Sequence, residues 1–194
     1  MLASASVGQN GDVTSTFPPA RKGKPGYDVE EVERFLADAR RAYSAIDGGG
    51  LTSDEIRHTA FRVVRRDGYS VRHVDAALER LEEAFAARER DRAIAERGED
   101  AYYRETRETA QEIVDRLARP VGQRFRRVGI LTRGYHPDDV DSFADRVSGY
   151  FQRGDAVSVE NVRTIAFRSR VGGYDETQVD VLLDAVIRVM LAVR

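Results

Sequence analysis

Four stretches of this chain share one pattern: GYDVEEVERFL from Gly26 to Leu36, GYSVRHVDAAL from Gly68 to Leu78, GYHPDDVDSFA from Gly134 to Ala144, and GYDETQVDVLL from Gly173 to Leu183. Each opens on Gly-Tyr: Gly26-Tyr27, Gly68-Tyr69, Gly134-Tyr135 and Gly173-Tyr174. Four variable residues follow, then a Val and an acid: Val32-Glu33, Val74-Asp75, Val140-Asp141 and Val179-Asp180. Recurrence at this density is the signature of a repeat. Beyond each Val, apolar residues keep helical spacing. The first copy carries Val32, Phe35, Leu36, Ala39 and Tyr43; the third carries Val140, Phe143, Val147 and Tyr150. After the tyrosine stands Asp28, Ser70, His136 or Asp175, and three of these four are good N-caps. Glu31 and Gln178 stand where capping boxes need them, and Pro137 suits a first helical position. Each motif is therefore expected to be a loop-to-helix junction, its Tyr stapled against the turn above.

The copies alternate. A Phe stands nine residues before the first and third Gly, at Phe17 and Phe125. The second and fourth follow short helical patterns that end in Phe-Arg, LTSDEIRHTAFR (51–62) and VSVENVRTIAFR (157–168). The pattern predicts an all-α fold made by tandem duplication of a two-motif module, with a charged connecting helix. Its expected divisions are a mobile tail (1–16), a first module with a charged helix (17–97), a helical connector (98–124) and a second module (125–194). Glu79 to Arg116 reads as a solvated helix or helix pair broken near Gly98. No strand-period run is long enough to support a sheet.

Composition narrows the function classes. In 194 residues, 33% charged and 41% hydrophobic, there is no cysteine, hence no disulfide or thiolate metal site. The net charge of -2 provides no overall drive towards nucleic acid or acidic membrane. The N-terminus lacks the basic and apolar regions of a signal peptide, and the C-terminal apolar stretch falls short of a span. A soluble, cytoplasmic protein is expected. No P-loop, dinucleotide fingerprint or nucleophile elbow occurs. His58, His73 and His136 lie in different units without metal-ligand spacing, and Asp138, Asp139 and Asp141 fit a helix N-terminus better than a cation site. No catalytic residue, metal or cofactor is assigned. The lead-in loops are basic, and Arg65, Arg66, Arg126, Arg127 and Arg133 form a candidate contact surface for phosphates. Pairing with the acidic first turns is the simpler reading of those arginines.

LTSDEIRHTAFR, a short basic stretch, GYSVRHVDAAL and a long charged helix together resemble the N-terminal domain of the DivIVA family, bacterial division and polar-growth scaffolds. The second and fourth units match most fully. The resemblance implies a non-enzymatic adaptor with protein partners in the division or growth machinery, at the septum or pole. Family members contact membrane through a Phe-Arg pair just before the Gly. Here those positions hold Lys24-Pro25, Arg66-Asp67, Thr132-Arg133 and Val171-Gly172, so membrane insertion is not carried over. Nor is the family's long C-terminal coiled coil, although the apolar stripe of the last helix suits pairing between copies of the chain. The alternative from the basic loops is a nucleic-acid-associated helical module.

Overall fold

The computed structural model describes residues 16–45 and 50–193. Residues 1–15 of the expected tail, and most of the Asp47–Gly50 connection, lie outside them. The described residues are mostly helical, and the chain divides into two compact units, 1–85 and 86–194.

In the first unit, β1 (Gly26–Tyr27) leads into α1 (Val29–Ser44). The short α2 (Ser53–Arg57) precedes β2 (Val63–Val64), and α3 (Val71–Arg97) follows, with the unit boundary inside it. Thr52 and Glu55 close α2 with a reciprocal capping box. Gly98, at φ 84°, separates α3 from α4 (Glu99–Leu117), the break foreseen in the charged segment. The second unit continues with β3 (Arg133–Tyr135), α5 (Pro137–Arg153), α6 (Val159–Arg163), β4 (Ser169–Val171) and α7 (Glu176–Ala192).

The expectation of helices alone needs one correction. Each pair of Gly-Tyr motifs builds a small antiparallel ladder. Gly26 faces Val64 and Tyr27 faces Val63; in the second unit Arg133, Gly134 and Tyr135 face Val171, Arg170 and Ser169. Strands of two or three residues are too short to leave a period in the sequence. They form because backbone groups from segments far apart in the chain satisfy one another.

Beside each ladder two tyrosines form an isolated bridge and exchange backbone bonds. Tyr27 N–H donates to the Tyr69 carbonyl at 3.0 Å and Tyr69 N–H to the Tyr27 carbonyl at 2.9 Å. Tyr135 and Tyr174 repeat the exchange at 3.0 and 2.8 Å. The lead-in segments complete the array, with Ser70 N–H on the Pro18 carbonyl and Asp28 N–H on that of Arg62, both at 2.9 Å. This close approach explains the invariant first residue of the motif. A Cβ on Gly26 would lie 2.5 Å from the Tyr69 carbonyl oxygen, and one on Gly68 2.8 Å from that of Tyr27. Gly134 and Gly173 meet the same obstruction from Tyr174 and Tyr135.

The motif valines form the centres of the cores. Val32, Val74, Val140 and Val179 are all buried. Val32, Tyr69 and Val74 cluster in the first unit, beside a second cluster of Ala42, Ile56 and Phe85. In the second unit Phe125, Val140, Tyr174 and Val179 form one cluster, and a larger one joins Ile113 and Leu117 of α4 to Phe143 and Val147 of α5 and Val186, Ile187 and Met190 of α7. In the first unit a charged pair accompanies these apolar groups: Arg57 Nε donates to buried Glu82 at 3.0 Å, tying α2 to α3.

Gly26→Ala and Gly134→Ala are expected to destabilise their units by about 3 kcal/mol, the upper range for forced overpacking. Gly172→Ala, at φ 66° with open space around its Cβ position, should cost only about 1–2 kcal/mol. Urea denaturation of the three variants checks the ranking.

Candidate functional site

The motif residues singled out from the sequence converge on one constellation per unit. Each half supplies a lead-in Phe, a Gly-Tyr, a helix cap and a Val-acid pair. Its aromatic rings and hydroxyls reach across to the other half, while Tyr69 also clusters with Val74 and Tyr174 with Val179, the valines of their own motifs.

The aromatic contacts are crossed. Phe17, ahead of the first motif, meets the tyrosine of the second, Tyr69, edge-on at 5.4 Å between ring centroids. Phe61, ahead of the second, meets Tyr27 at 5.5 Å. Phe125 meets Tyr174 at 5.3 Å and Phe167 meets Tyr135 at 5.1 Å. The four phenylalanines, which looked like two kinds of lead-in, thus play one role. Pairs of this type contribute about 0.5–1.5 kcal/mol beyond their burial.

The hydroxyls cross as well. Tyr69 donates to Glu33 at 2.6 Å and accepts from Thr16 N–H at 3.1 Å. Tyr174 donates to the Asp141 carboxylate, both oxygens at 3.1 Å. Asp141 is buried, accepts from Gly122 N–H at 2.8 Å, and lies 3.7 Å from the buried Arg124 guanidinium. Arg124 also donates to the Asp141 backbone carbonyl at 2.7 Å and pairs with Asp145. In the opposite direction, the Asp75 carboxylate acts on Tyr27 and that of Asp180 on Tyr135. Burial, reinforced by these carboxylates, raises the hydroxyl pKa of all four motif tyrosines, that of Tyr174 to about 12.

The caps are locked from across the ladder. Asp28 accepts from Glu31 N–H at 3.1 Å and Asp175 from Gln178 N–H at 3.2 Å, as local capping requires. The expected capping boxes are only half made. The Glu31 carboxylate instead accepts from Arg62 N–H at 2.7 Å, and the Gln178 side-chain oxygen from Arg126 N–H at 3.0 Å. Arg62 then reaches Asp28 at 2.5 Å, Arg168 reaches Asp139 at 2.6 Å, and Arg126 pairs with Asp175. The first lead-in has Pro18 at this place, so the Ser70 end lacks such a clamp; the Ser70 hydroxyl lies 2.9 Å from His73 Nδ1 instead. The sequence did not reveal this division of labour, although the shared Phe-Arg spelling at 61–62, 125–126 and 167–168 was the available signal.

Of the candidate basic surface, Arg126 is engaged with the Asp175 cap. Arg127 donates to the carbonyls of Gly122 and Gly172 at 3.4 and 3.2 Å, and its guanidinium stands 4.9 Å from the Tyr174 ring centroid. Arg133 Nε donates to the Ser169 hydroxyl at 3.1 Å. Arg65 and Arg66 are exposed in the loop after β2. Arg65 and Arg66 belong to the first unit and the other three to the second. Among the described residues, no group of three or more His, Asp or Glu could hold a metal ion, and no helix is long and apolar enough to cross a membrane.

The chain matches no protein-family model, no curated protein and no solved structure.

Two classes of carboxylate predict opposite pH behaviour. Hydrogen bonds from Arg168 hold Asp139 well below the usual carboxylate range, and those from Arg126 and Gln178 lower Asp175. A depressed folded pKa adds stability above the unfolded value of about 4 and loses it as pH falls. Burial raises Asp75, and loss of surrounding water raises Asp180; ionising these two opposes folding as pH rises past their folded values. Asp139→Asn is therefore expected to lower the melting temperature at pH 7 and to converge with the parent at strongly acid pH. Asp180→Asn should be neutral or stabilising at pH 7. Thermal melts across pH check both.

At the alkaline end, the raised tyrosines add stability that is complete below about pH 10 and lost as they ionise. Tyr174→Phe should flatten that loss in the second unit. It should also cost about 1–3 kcal/mol at pH 7, because buried Asp141 loses a donor. Denaturant melts at pH 7 and above pH 10 measure both effects.

Proposed function

We propose that this chain is a non-enzymatic adaptor of the DivIVA type, acting through protein–protein contacts in bacterial division or polar growth. We further propose that it arose by tandem duplication of a two-motif module. One observation carries the reading: the crossed Phe–Tyr, Tyr–acid and Tyr–Tyr interlock of one unit recurs, contact for contact, in the other. In that interlock the polar groups of the repeat bind one another. Tyr69 and Tyr174 are held by Glu33 and Asp141, and the Asp28 and Asp175 caps and the first-turn Asp139 by arginines. A motif whose polar atoms face inward supports a structural role for the repeat and leaves recognition to the outer helix faces and turns. The pairing of Arg126 with Asp175 and of Arg168 with Asp139 also favours this reading over a phosphate-binding module, in which those guanidinium groups would have to exchange a carboxylate for a phosphate.

A fluorescent fusion in the native host, with an Arg65→Glu/Arg66→Glu version beside it, tests the proposal. Septal or polar foci are expected for both proteins. A diffuse signal from the unmodified fusion overturns the division role. Nucleoid signal that the charge variant loses replaces it with nucleic-acid binding.

A further inference from the structure

Similar half-units within one chain create a choice of partners. The first half of each unit, entered at Phe17 or Phe125, crosses the second half of the same unit, entered at Phe61 or Phe167. Both units use the same ring contacts and the same exchange between tyrosines. Those contacts are equally available to a first half of one unit and a second half of the other. Specificity is a difference of affinities, so it has to reside in residues that differ between the units.

Such residues lie where each lead-in passes the helix start of the half it crosses. The residue after the motif tyrosine donates its N–H to the carbonyl of the residue after the lead-in Phe. These bonds run from Asp28 to Arg62, Ser70 to Pro18, His136 to Arg168 and Asp175 to Arg126, at 2.9, 2.9, 2.7 and 2.9 Å. Where the lead-in residue is an arginine, its own N–H donates to the third residue of the helix. Arg62 donates to Glu31 at 2.7 Å, Arg168 to Asp139 at 3.1 Å and Arg126 to Gln178 at 3.0 Å. The same arginines pair with Asp28, Asp139 and Asp175. Pro18 has no N–H and no charge to offer. It faces the motif with Ser70 and His73 at those positions, where the His73 ring stands 2.9 Å from the Ser70 hydroxyl. The lead-in that lacks a donor therefore meets the one motif without a carboxylate or amide at that place.

We propose that these residues are a pairing code that keeps the halves of the two units from exchanging partners. One end of each unit is interchangeable, because Arg62 and Arg168 both face an acid in a first helical turn. The other end discriminates. It matches Pro18 with Ser70 and His73 in the first unit, and Arg126 with Asp175 and Gln178 in the second. An exchange puts Arg126 against Ser70 and His73, and its N–H and guanidinium lose their acceptors. It also puts Pro18 against Asp175 and Gln178. Asp175 is buried, and a buried carboxylate deprived of its cation weighs against the wrong pairing. The inference concerns how the chain assembles itself and is independent of the division role.

Two disulfide reporters in the full chain test the code, since the chain has no cysteine of its own. Arg133→Cys/Val171→Cys joins two facing ladder positions of the second unit and reads correct pairing. Arg65→Cys/Arg133→Cys reads exchange, because Arg65 follows Val64 in the first ladder as Val171 follows Arg170 in the second. Each protein is refolded from urea in a glutathione buffer, and disulfides within and between chains are counted by mass. The parent sets the reference for both reporters. Ser70→Asp/His73→Gln then gives the second motif the residues of the fourth, with an N-cap as good as the original. The exchange disulfide should rise about fivefold relative to the correct one. Adding Pro18→Arg rematches the first unit and should return both reporters to the parental ratio. A ratio unmoved by Ser70→Asp/His73→Gln overturns the proposal, and so does a shift that Pro18→Arg fails to reverse.

Discussion

The reciprocal pair of backbone hydrogen bonds between two tyrosines is the constraint around which each unit is arranged. It brings Tyr27 against Tyr69 and Tyr135 against Tyr174, so closely that the preceding residue cannot carry a Cβ. Once the two segments cross in this way, each tyrosine ring falls beside the phenylalanine leading into the other half. Each hydroxyl then comes within reach of the acid after the other half's valine. The motif spelling Gly-Tyr, four residues, Val-acid is the imprint of that crossing. Gly permits it, Tyr spans it, Val fills the core beneath it, and the acid receives the hydroxyl. A half taken alone would expose its valine and phenylalanine and leave its ladder groups unpaired, so the halves of a unit must fold together.

Charge is distributed by the same geometry. The cap carboxylates Asp28 and Asp175 satisfy helix N–H groups locally and hold arginines from the opposite lead-in, which lowers their pKa values. Asp75 and Asp180 face tyrosines instead, and the water they lose outweighs the hydroxyl contact, so their pKa values rise. The cap acids after the tyrosines and the acids Asp75 and Asp180 after the valines are therefore tuned in opposite directions by what lies across the ladder. The basic lead-ins are consequently less of a phosphate-binding face than their composition implies: several guanidinium groups stabilise caps. This bears on function, because it shifts attention from the repeat to the surfaces that differ between units, such as the Lys22-Gly23 and Ile130-Leu131 turns.

Much of the helical architecture was legible in the chain. The Thr52 capping box, the helix start at Ser158, the Gly98 break and the stripes beginning at Val32, Val140 and Val179 follow from residues one to four positions apart. The ladders escaped notice because strands of two or three residues have no periodicity to read. The partners of the tyrosines were equally hidden, although the tyrosines themselves were conspicuous. Tyr69 and Glu33 are separated by 36 residues, and Tyr174 and Asp141 by 33.

The sequence by itself determined where helices begin, which face of each is apolar and that one motif is used four times. Those properties depend on caps, rotamers and spacing within a turn or two of helix, where neighbours in the chain are neighbours in space. Only the tertiary structure decided that motifs work in crossed pairs, that four phenylalanines in two sequence contexts are equivalent, and which arginines are committed to caps. Those pairings depend on the approach of backbone segments far apart in the chain, and local residue chemistry does not encode that approach.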